Sequence, residues 1–284
     1  MKHHFTKMQG CGNDYVYING FTEHVPQEQK SELAIRLSDR HFGVGSDGVI
    51  FINPSSLADF EMEMYNADGS RAEMCGNGMR CVAKYVYDHA MVTRTSFTIE
   101  SFGSVRSVSL TVENGLASRI SIDMGAPILT AAEIPVSTAY LTSDPDGRII
   151  RQPVTVGDAV LPVTCVSMGN PHAVIFTDPD DVLRYGPALE CHPAFPRRVN
   201  AEFVRIDDRS NVHMRVYERG TGETLACGTG CCATAVACIL CGLTDDTVNV
   251  HLLGGILQVT WDRAENRITL TGPAVEVFTG ETDF

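Results

Sequence analysis

Two cysteines occur in nearly the same short string, 152 residues apart. The chain reads MCGNG at residues 74–78 and ACGTG at residues 226–230. Each string follows a strand-like stretch and a turn, and each begins an apolar segment of helical character. The spacing therefore predicts a thiol at the N-terminus of each of two helices, where backbone N–H groups lack partners and carry partial positive charge. We expect such a helix end to lower the pKa of the thiol and to bind an anion.

Two thiols in matched settings indicate an acid and a base rather than a single nucleophile. If the two helix ends point into one cleft, Cys75 and Cys227 can remove a proton from one face of a substrate carbon and return one to the other face. This inverts the configuration, and it requires that the two thiols share one proton. General acid–base catalysis supplies only about 10²- to 10⁴-fold, so helix-terminal N–H groups should also stabilise carboxylate and carbanion charge. The residues that would supply them are Gly76, Asn77, Gly228 and Thr229.

The two strings belong to a longer internal repeat. A strand precedes each cysteine by about ten residues, and Gly103 and Gly255 follow in hairpins with the same 152-residue offset. A shared offset across several features predicts two similar domains, each with one of the cysteines. We place the boundary near the Gly-Ala-Pro sequence at 125–127. The predicted domains are residues 1–124 together with a returning strand at about 273–284, and residues 125–272.

The pattern of elements predicts an α/β fold of the α+β type. Short strands with close turns favour antiparallel pairing, and the segment after Cys227 is apolar all round, as expected of a buried helix. We therefore expect each domain to wrap antiparallel strands around one central helix. In the first half, helices are predicted at about 26–40 and 75–90, and strands at 5–10, 15–18, 49–52, 60–65, 95–101, 104–112 and 117–123.

Composition argues against several classes of function. The chain is 44% hydrophobic and 20% charged, as in soluble globular proteins, and its net charge of −13 leaves no extended basic surface for nucleic acid. The longest apolar run, about Cys231–Leu243, is too short to span a bilayer. The first residues lack the apolar core of a signal peptide. We expect a cytoplasmic protein with neither a nucleic acid nor a membrane as partner.

The ten cysteines do not indicate a disulfide framework or a metal site. A chain of this length without an export signal is not expected to depend on disulfides. Zinc requires clustered ligand pairs, and only Cys238-x-x-Cys241 has the spacing, within an apolar helical run. A pyridoxal phosphate enzyme would need a Schiff-base lysine, and none of the four lysines lies in a loop typical of that cofactor. We predict no metal and no cofactor.

Further motifs around the two cysteines resemble those of the diaminopimelate epimerases. The chain reads NADGS at 66–70, CGNGMRC at 75–81, ERGTGETLACGTG at 218–230, GND at 12–14, SMGNPH at 167–172 and RVNA at 198–201. The resemblance covers essentially the whole chain, and the motifs are highly specific in combination. It implies the two-domain fold of that family and a cofactor-independent enzyme that interconverts LL- and meso-diaminopimelate in lysine and peptidoglycan precursor synthesis. It also implies a homodimer.

The resemblance implies a role for each matching position. Cys75 and Cys227 are the base and acid, and they exchange roles with the direction of reaction. Arg219 would bind the distal carboxylate, since its planar fork can contact both oxygens. His172 and Glu218 would tune the pKa of the thiols. The implied substrate-binding side chains are Asn13, Asn66, Asn170, Asn200, Glu218 and Arg219.

Several of these residues also have a plainer interpretation. An Asn beside Gly is usually a turn residue, which by itself would account for Asn13 and Asn66. His172 follows a proline and could be a surface histidine. One position departs from the family pattern: Gly48 stands where some members carry a substrate-contacting Gln, so we expect no side-chain contact there.

Three other functions remain open on the sequence. A two-cysteine racemase of the same fold could act on proline or histidine, but such substrates lack the distal carboxylate that Arg219 would bind. A cysteine hydrolase could use Cys227 as nucleophile and His172 as base, which would leave Cys75 without a role. A non-enzymatic binding protein could use the helix-terminal anion sites, but two matched thiols would then be unexplained.

Overall fold

The computed structural model describes Lys2–Ala72 and Cys75–Asp283. Met74 of the first string lies outside these ranges. So do Glu73 and the terminal residues of the predicted N-terminal domain, Met1 and Phe284.

The described chain contains more strand than helix, with four α-helices. The helices are α1 Lys30–Ser38, α2 Gly76–Asp88, α3 Val182–Glu190 and α4 Gly228–Leu240. The strands up to α3 are β1 Lys2–Gly10, β2 Asn13–Asn19, β3 Gly48–Asn53, β4 Phe60–Asn66, β5 Arg71–Ala72, β6 Ser96–Ser101, β7 Ser104–Glu113, β8 Leu116–Gly125, β9 Gln152–Val156, β10 Ala159–Ser167 and β11 Pro171–Phe176. Those that follow are β12 Asn200–Ile206, β13 Asn211–Glu218, β14 Gly222–Thr224, β15 Thr247–Leu252, β16 Gly255–Asp262, β17 Arg267–Gly272 and β18 Val275–Asp283.

The chain forms two compact units. The N-terminal unit comprises the residues up to Asp123 together with those from Thr271 onward, and the C-terminal unit comprises Met124–Leu270. The last strand, β18, pairs with β1 and so belongs to the N-terminal unit. Each unit contains one cysteine of the repeated pair.

In the N-terminal unit, the strands form a mixed sheet in the order β18–β1–β2–β3–β4–β6–β7–β8. Most neighbours are antiparallel, but β2 and β3 are parallel, and so are β4 and β6. Parallel neighbours require a crossover, and the two crossovers contain α1 and α2. Cys75 therefore lies at the start of the helix in the second crossover, between β4 and β6.

The C-terminal unit repeats this arrangement. Its strands lie in the order β9–β10–β11–β12–β13–β15–β16. Strands β11 and β12 are parallel and joined through α3, β13 and β15 are parallel and joined through α4, and the other neighbours in this order are antiparallel. Gly103 lies in the hairpin after α2, and Gly255 lies in the hairpin after α4, each with a positive φ. The repeat in the sequence is thus a repeat in strand order and direction.

The helices that follow the two cysteines are buried in their units. Helix α4 is apolar on every side and is buried from Gly230 to Ile239, packed against strands from β10 to β16. Helix α2 buries its residues from Gly76 to Ala83 and contacts β1, β2, β7 and β18. Because both are enclosed, the position of each helix end is fixed by the surrounding sheet.

The predicted fold class is confirmed, and the structure adds two features to it. Antiparallel pairing dominates, but each unit also has two parallel pairs, because each domain contains two crossover helices. The sequence predicts only one of the two crossover helices in the second half, α4, and does not predict α3. Its sequence, VLRYGPALE, contains an internal Gly and Pro, which are poor helix formers, and it is stabilised by packing on β12 and β13.

Candidate active site

Cys75 is the N-cap residue of α2. Its backbone is extended (φ −138°, ψ 109°), and its carbonyl accepts the first intrahelical hydrogen bond from Met79 N at 2.9 Å. Its sulfur accepts a hydrogen bond from Gly78 N at 3.2 Å. The thiol thus occupies the place of the oxygen that Ser, Thr or Asp supplies at most helix starts.

Cys227 caps α4 in the same way. Its backbone is extended (φ −123°, ψ 112°), its carbonyl accepts from Cys231 N at 2.9 Å, and its sulfur accepts from Gly230 N at 3.4 Å. The hydroxyl of Thr229 lies 3.5 Å from the sulfur. The side chain is 6% exposed, whereas that of Cys75 is half-buried. The two cysteines are therefore equivalent in backbone geometry but not in surroundings.

Both thiols have a raised pKa, so the expectation of lowered values was wrong. Burial raises the pKa of Cys75, and it raises the pKa of Cys227 well above its ordinary value. The N–H groups at the helix ends do act to lower each pKa. The cost of removing a thiolate from water is larger than the stabilisation those donors give. Both cysteines are consequently neutral thiols near neutral pH when no substrate is bound.

Charged neighbours distinguish the two thiols beyond the shared effect of burial. The Arg80 guanidinium acts to lower the pKa of Cys75. The carboxyl group of Glu218 raises the pKa of Cys227 further. The thiol of Cys75 is therefore the more easily ionised of the two.

Asn13, the first residue of β2, contacts the thiol of the N-terminal unit. Cys75 Sγ donates to Asn13 Oδ1 at 3.2 Å, and Asn13 Nδ2 donates to Asp47 Oδ2 at 2.8 Å. Arg40 joins Asp47 to Asp14, with 2.9 Å to each carboxylate. Asp47 thus orients the amide of Asn13 with its oxygen toward the sulfur.

Two buried residues that the sequence analysis did not single out act on Cys75. A hydrogen bond from the Tyr15 hydroxyl acts to lower the pKa of the thiol. Arg80 is fully buried, and its guanidinium donates to Asn77 Oδ1 at 2.7 Å and to Pro273 O at 3.1 Å. The side chain of Asn77 is thereby held inside the unit. The only sequence signal for Arg80 was its place in the CGNGMRC motif.

Asn66 lies at the end of β4 and uses its side chain within its own turn. Its Nδ2 donates to Ser70 Oγ at 2.9 Å, and its carbonyl accepts from Gly69 N at 2.9 Å. Its strand neighbour is Gly48, where a Cβ would lie 2.1 Å from Tyr65 O. Among the described residues, no hydrogen bond joins Asn66 to Cys75. The hydrogen bonds of Asn66 are therefore those of a turn residue.

In the C-terminal unit, three strand ends bring the predicted residues together. His172, near the start of β11, is the parallel partner of Asn200, the first residue of β12. Strand β13 runs antiparallel to β12 and ends at Glu218. The side chains of His172, Asn200 and Glu218, which are distant in sequence, thus meet where these three neighbouring strands begin or end, beside the start of α4.

His172 is fully buried rather than a surface residue. Its Nδ1 lies 2.6 Å from Glu202 Oε1, and its Nε2 lies 3.0 Å from Asn170 Oδ1. Burial lowers the pKa of His172 to about 3. The imidazole is therefore uncharged at neutral pH. Glu202 is a site residue that the sequence analysis missed, because nothing in the local sequence marks a buried carboxyl group on a strand.

Glu218 is the carboxyl group that contacts the second thiol. Burial raises its pKa, whereas hydrogen bonds from Thr224 and Cys227 act to lower it. The Thr224 hydroxyl donates to Glu218 Oε1. The proton of Cys227 thus has a nearby acceptor.

Asn200 supports the turn that presents Arg219. Its Oδ1 accepts from Arg219 N at 2.8 Å, and its Nδ2 donates to Pro171 O at 3.4 Å. The guanidinium of Arg219 donates to Arg197 O at 3.2 Å through Nη1. Its other N–H donors give it capacity for a carboxylate.

The first residues of the two helices provide matched backbone donors. Gly76 and Asn77 begin α2, and Gly228 and Thr229 begin α4. N–H groups at these positions have no partner within an α-helix, and they lie next to the capping sulfurs. The arrangement can bind an anion beside each thiol.

Within the residues that the structure describes, no group of three or more His, Cys, Asp and Glu is arranged to hold a metal ion. Over the same ranges, no helix combines the length and apolar character needed to cross a membrane.

The fold is shared with solved structures of more than one kind of protein. A PhzF-family phenazine biosynthesis protein of Bacillus anthracis covers all of both chains with a TM-score of 0.72 at 17% identity. A hydroxyproline epimerase from Agrobacterium vitis, solved with trans-4-hydroxy-L-proline, covers 99% of this chain and 91% of its own with a TM-score of 0.66 at 13% identity. The chain therefore has the two-unit fold of the PhzF-like and epimerase class.

The sequence comparisons narrow this class to one family. Residues 5–130 and 164–277 match the family model described as diaminopimelate epimerase. A diaminopimelate epimerase of Agathobacter rectalis is 52% identical over 98% of this chain and 99% of its own, and one of Desulfovibrio desulfuricans is 52% identical over 98% and 97%. One of Methanococcus maripaludis is 46% identical over 98% and 99%. The chain belongs to the diaminopimelate epimerase family, and the resemblance found in its motifs is confirmed.

The raised pKa values predict slow alkylation of both thiols by iodoacetamide at neutral pH, because the thiolate is the reactive form. The rate should rise with pH throughout the range up to about pH 9, and Cys75 should react before Cys227, since its pKa is raised less and its side chain is less buried. Peptide mass spectrometry measures both rates, with the exposed Cys191 as an internal reference. A rate at either cysteine that levels off below about pH 8 would contradict the assignment.

Proposed function

We propose that the protein epimerises LL-2,6-diaminopimelate to meso-diaminopimelate without a cofactor, by proton transfer between Cys75, Cys227 and the α-carbon. The observation that carries this proposal is the pair of cysteine N-caps, in a chain about half identical to diaminopimelate epimerases over almost its full length. Each of the two compact units would then serve as one epimerase domain and contribute one thiol.

The two thiols have separate roles in each direction of the reaction. One must lose its proton before it can act as a base, and Cys75 is the more easily ionised when the site is empty. Two side chains would tune how readily the thiols ionise. Asn13 accepts a hydrogen bond from the thiol of Cys75, and Glu218 accepts one from the thiol of Cys227. The base removes the α-proton from one face of the carbon, while the other thiol delivers a proton to the opposite face.

The ends of α2 and α4 would stabilise the charge that this step creates. Removal of the α-proton moves negative charge toward the α-carboxylate. The candidate donors are the backbone N–H groups of Gly76, Asn77, Gly228 and Thr229. Because these donors are fixed by the helices, they need no reorganisation when the charge forms.

The polar groups of the strand ends would bind the distal amino-acid group. Arg219 is the candidate for the distal carboxylate, and Asn200 fixes the backbone from which it extends. Asn66 and Asn170 would complete the set of donors and acceptors for the distal ammonium and carboxylate. Asn66 would have to exchange its contact with Ser70 for one with the substrate.

The hydrolase alternative is not favoured by the contacts of His172. A general base must lie within hydrogen-bond reach of its nucleophile. The two ring nitrogens of His172 contact Glu202 and Asn170 instead. A role in orienting other side chains suits this buried, neutral imidazole better than proton abstraction.

The test of the function is isotope exchange. LL-diaminopimelate incubated with the protein in deuterated water should acquire deuterium at the α-carbon and become the meso isomer, because the incoming proton derives from solvent through the second thiol. Proton NMR and chiral chromatography measure label and configuration. Proline and histidine serve as control substrates, and exchange confined to either of them would assign the chain to a different amino-acid racemase.

Replacement of either cysteine tests the two-base mechanism. Cys75→Ala and Cys227→Ala should each reduce epimerisation by about 10²- to 10⁴-fold or more, since each removes one of two required proton carriers. Cys191→Ala is the matched control, because that thiol is exposed and lies outside the site, and it should retain full activity. Near-normal turnover by either active-site variant would exclude the two-base scheme.

We also propose a cytoplasmic homodimer, as the family resemblance implies. Analytical ultracentrifugation of the purified protein at micromolar concentration should give twice the 30.9 kDa chain mass. A species of single-chain mass across the concentration range would argue against the dimer. Fractionation of the source cells tests the location.

A further inference from the structure

Glu202 is a buried carboxyl group to which the mechanism above gives no role. It lies on β12 between β11 and β13, and both it and His172 are 0% exposed. Its Oε1 is 2.6 Å from His172 Nδ1. Its other oxygen, Oε2, is buried and has no hydrogen-bond partner.

This setting requires a neutral carboxylic acid. An ionised carboxylate needs partners for both oxygens when it is removed from water. Within the described part of the chain, His172 is the only basic side chain that contacts Glu202, and Oε2 would carry unpaired charge. Consistent with this, burial raises the pKa of Glu202 well above its usual range, and the nearby Glu218 raises it further.

A neutral acid beside one ring nitrogen of His172 determines which nitrogen carries the imidazole proton. The hydroxyl of Glu202 donates to His172 Nδ1, so a neutral His172 carries its proton on Nε2. Nε2 then donates to Asn170 Oδ1 at 3.0 Å. With its oxygen occupied in this way, Asn170 presents its amide N–H groups as donors.

We propose that Glu202 is a positioning residue that fixes the tautomer of His172 and thereby turns the N–H groups of Asn170 toward a carboxylate of the substrate. The proposal deepens the proposed function and rests on it, because it takes the ligand to be an amino acid. The carboxyl group donates to the imidazole and the imidazole donates to the amide oxygen. Each donor keeps its own proton, so no proton is transferred and no bond is broken.

The first turn of α4 fits closely over this carboxyl group. A Cβ at residue 230 would lie 3.0 Å from Glu202 Oε1 and 3.3 Å from Cys227 Sγ. Gly230 therefore allows the carboxyl group and the capping thiol to share the space beneath the helix end. This contact leaves little freedom for Glu202 to rotate away from His172.

Two variants separate hydrogen bonding from packing. Glu202→Gln keeps the size of the side chain and retains a donor for His172 Nδ1. It should therefore preserve kcat and KM for LL-diaminopimelate to within about threefold, which is less than the loss of one hydrogen bond would cause. Glu202→Met keeps the volume but removes the donor. It should raise KM by about tenfold to a hundredfold with a smaller change in kcat, because Asn170 no longer has a fixed orientation.

The tautomer is measured directly by ¹⁵N NMR of imidazole-labelled protein, with His172→Gln used to assign the signal among the nine histidines. Wild type and Glu202→Gln should show His172 protonated at Nε2 only, and Glu202→Met should show a mixture of tautomers. Thermal denaturation of each variant serves as the control for folding.

Several results would overturn the proposal. These are a wild-type His172 protonated at Nδ1 or at both nitrogens, a Glu202→Gln variant as impaired as Glu202→Met, or a Glu202→Met variant with unchanged KM. The NMR readout needs no turnover. A protein that failed to epimerise diaminopimelate would therefore refute the proposed function while the tautomer of His172 could still be read.

Discussion

The structure depends on one interaction that occurs twice: a cysteine sulfur accepts the backbone N–H at the third residue of a buried helix. The cap fixes the sulfur next to the N–H groups of the helix end, so the same few residues place a thiol beside a set of backbone donors. A Cβ at position 78 would lie 2.7 Å from Ile50 Cδ1, and one at position 230 would lie 3.0 Å from Glu202 Oε1, so glycine lets each helix start pack closely on its unit. The surrounding sheet then fixes each helix, because neither can move without exposing apolar surface.

The duplication is symmetric in the backbone and asymmetric in charge. Around Cys75, Arg80 and Tyr15 favour the thiolate. Around Cys227, the Glu218 carboxyl group disfavours it. Two thiols in the same backbone geometry thus differ in how readily they ionise. In both cases burial raises the pKa, so the thiolate that the proposed mechanism requires would have to be stabilised by hydrogen bonds or charges that the bound substrate brings.

The arrangement of strands and helices defines the fold, whereas substrate choice depends on the side chains that this arrangement brings together. Structures with this fold include a PhzF-family protein and a hydroxyproline epimerase at 13–17% identity, so the arrangement of strands and helices is compatible with more than one activity. In this chain, a set of polar side chains gathers at the strand ends of the C-terminal unit. Among them, the contacts of His172, Asn170 and Asn200 are made by residues that meet only through pairing of β11, β12 and β13.

The sequence by itself determined the features that are local or repeated. The matched strings, their 152-residue offset and the apolar segments after them predicted two helices with cysteines at their starts, and the motifs predicted the family. The sequence could not determine the direction of the thiol pKa shifts, because helix ends act locally whereas desolvation depends on everything packed around the sulfur. Nor could it find Glu202 or the role of Asp47 in orienting Asn13. Those residues acquire their partners from other strands and loops, and only the tertiary structure brings a buried carboxyl group on β12 against a histidine on β11.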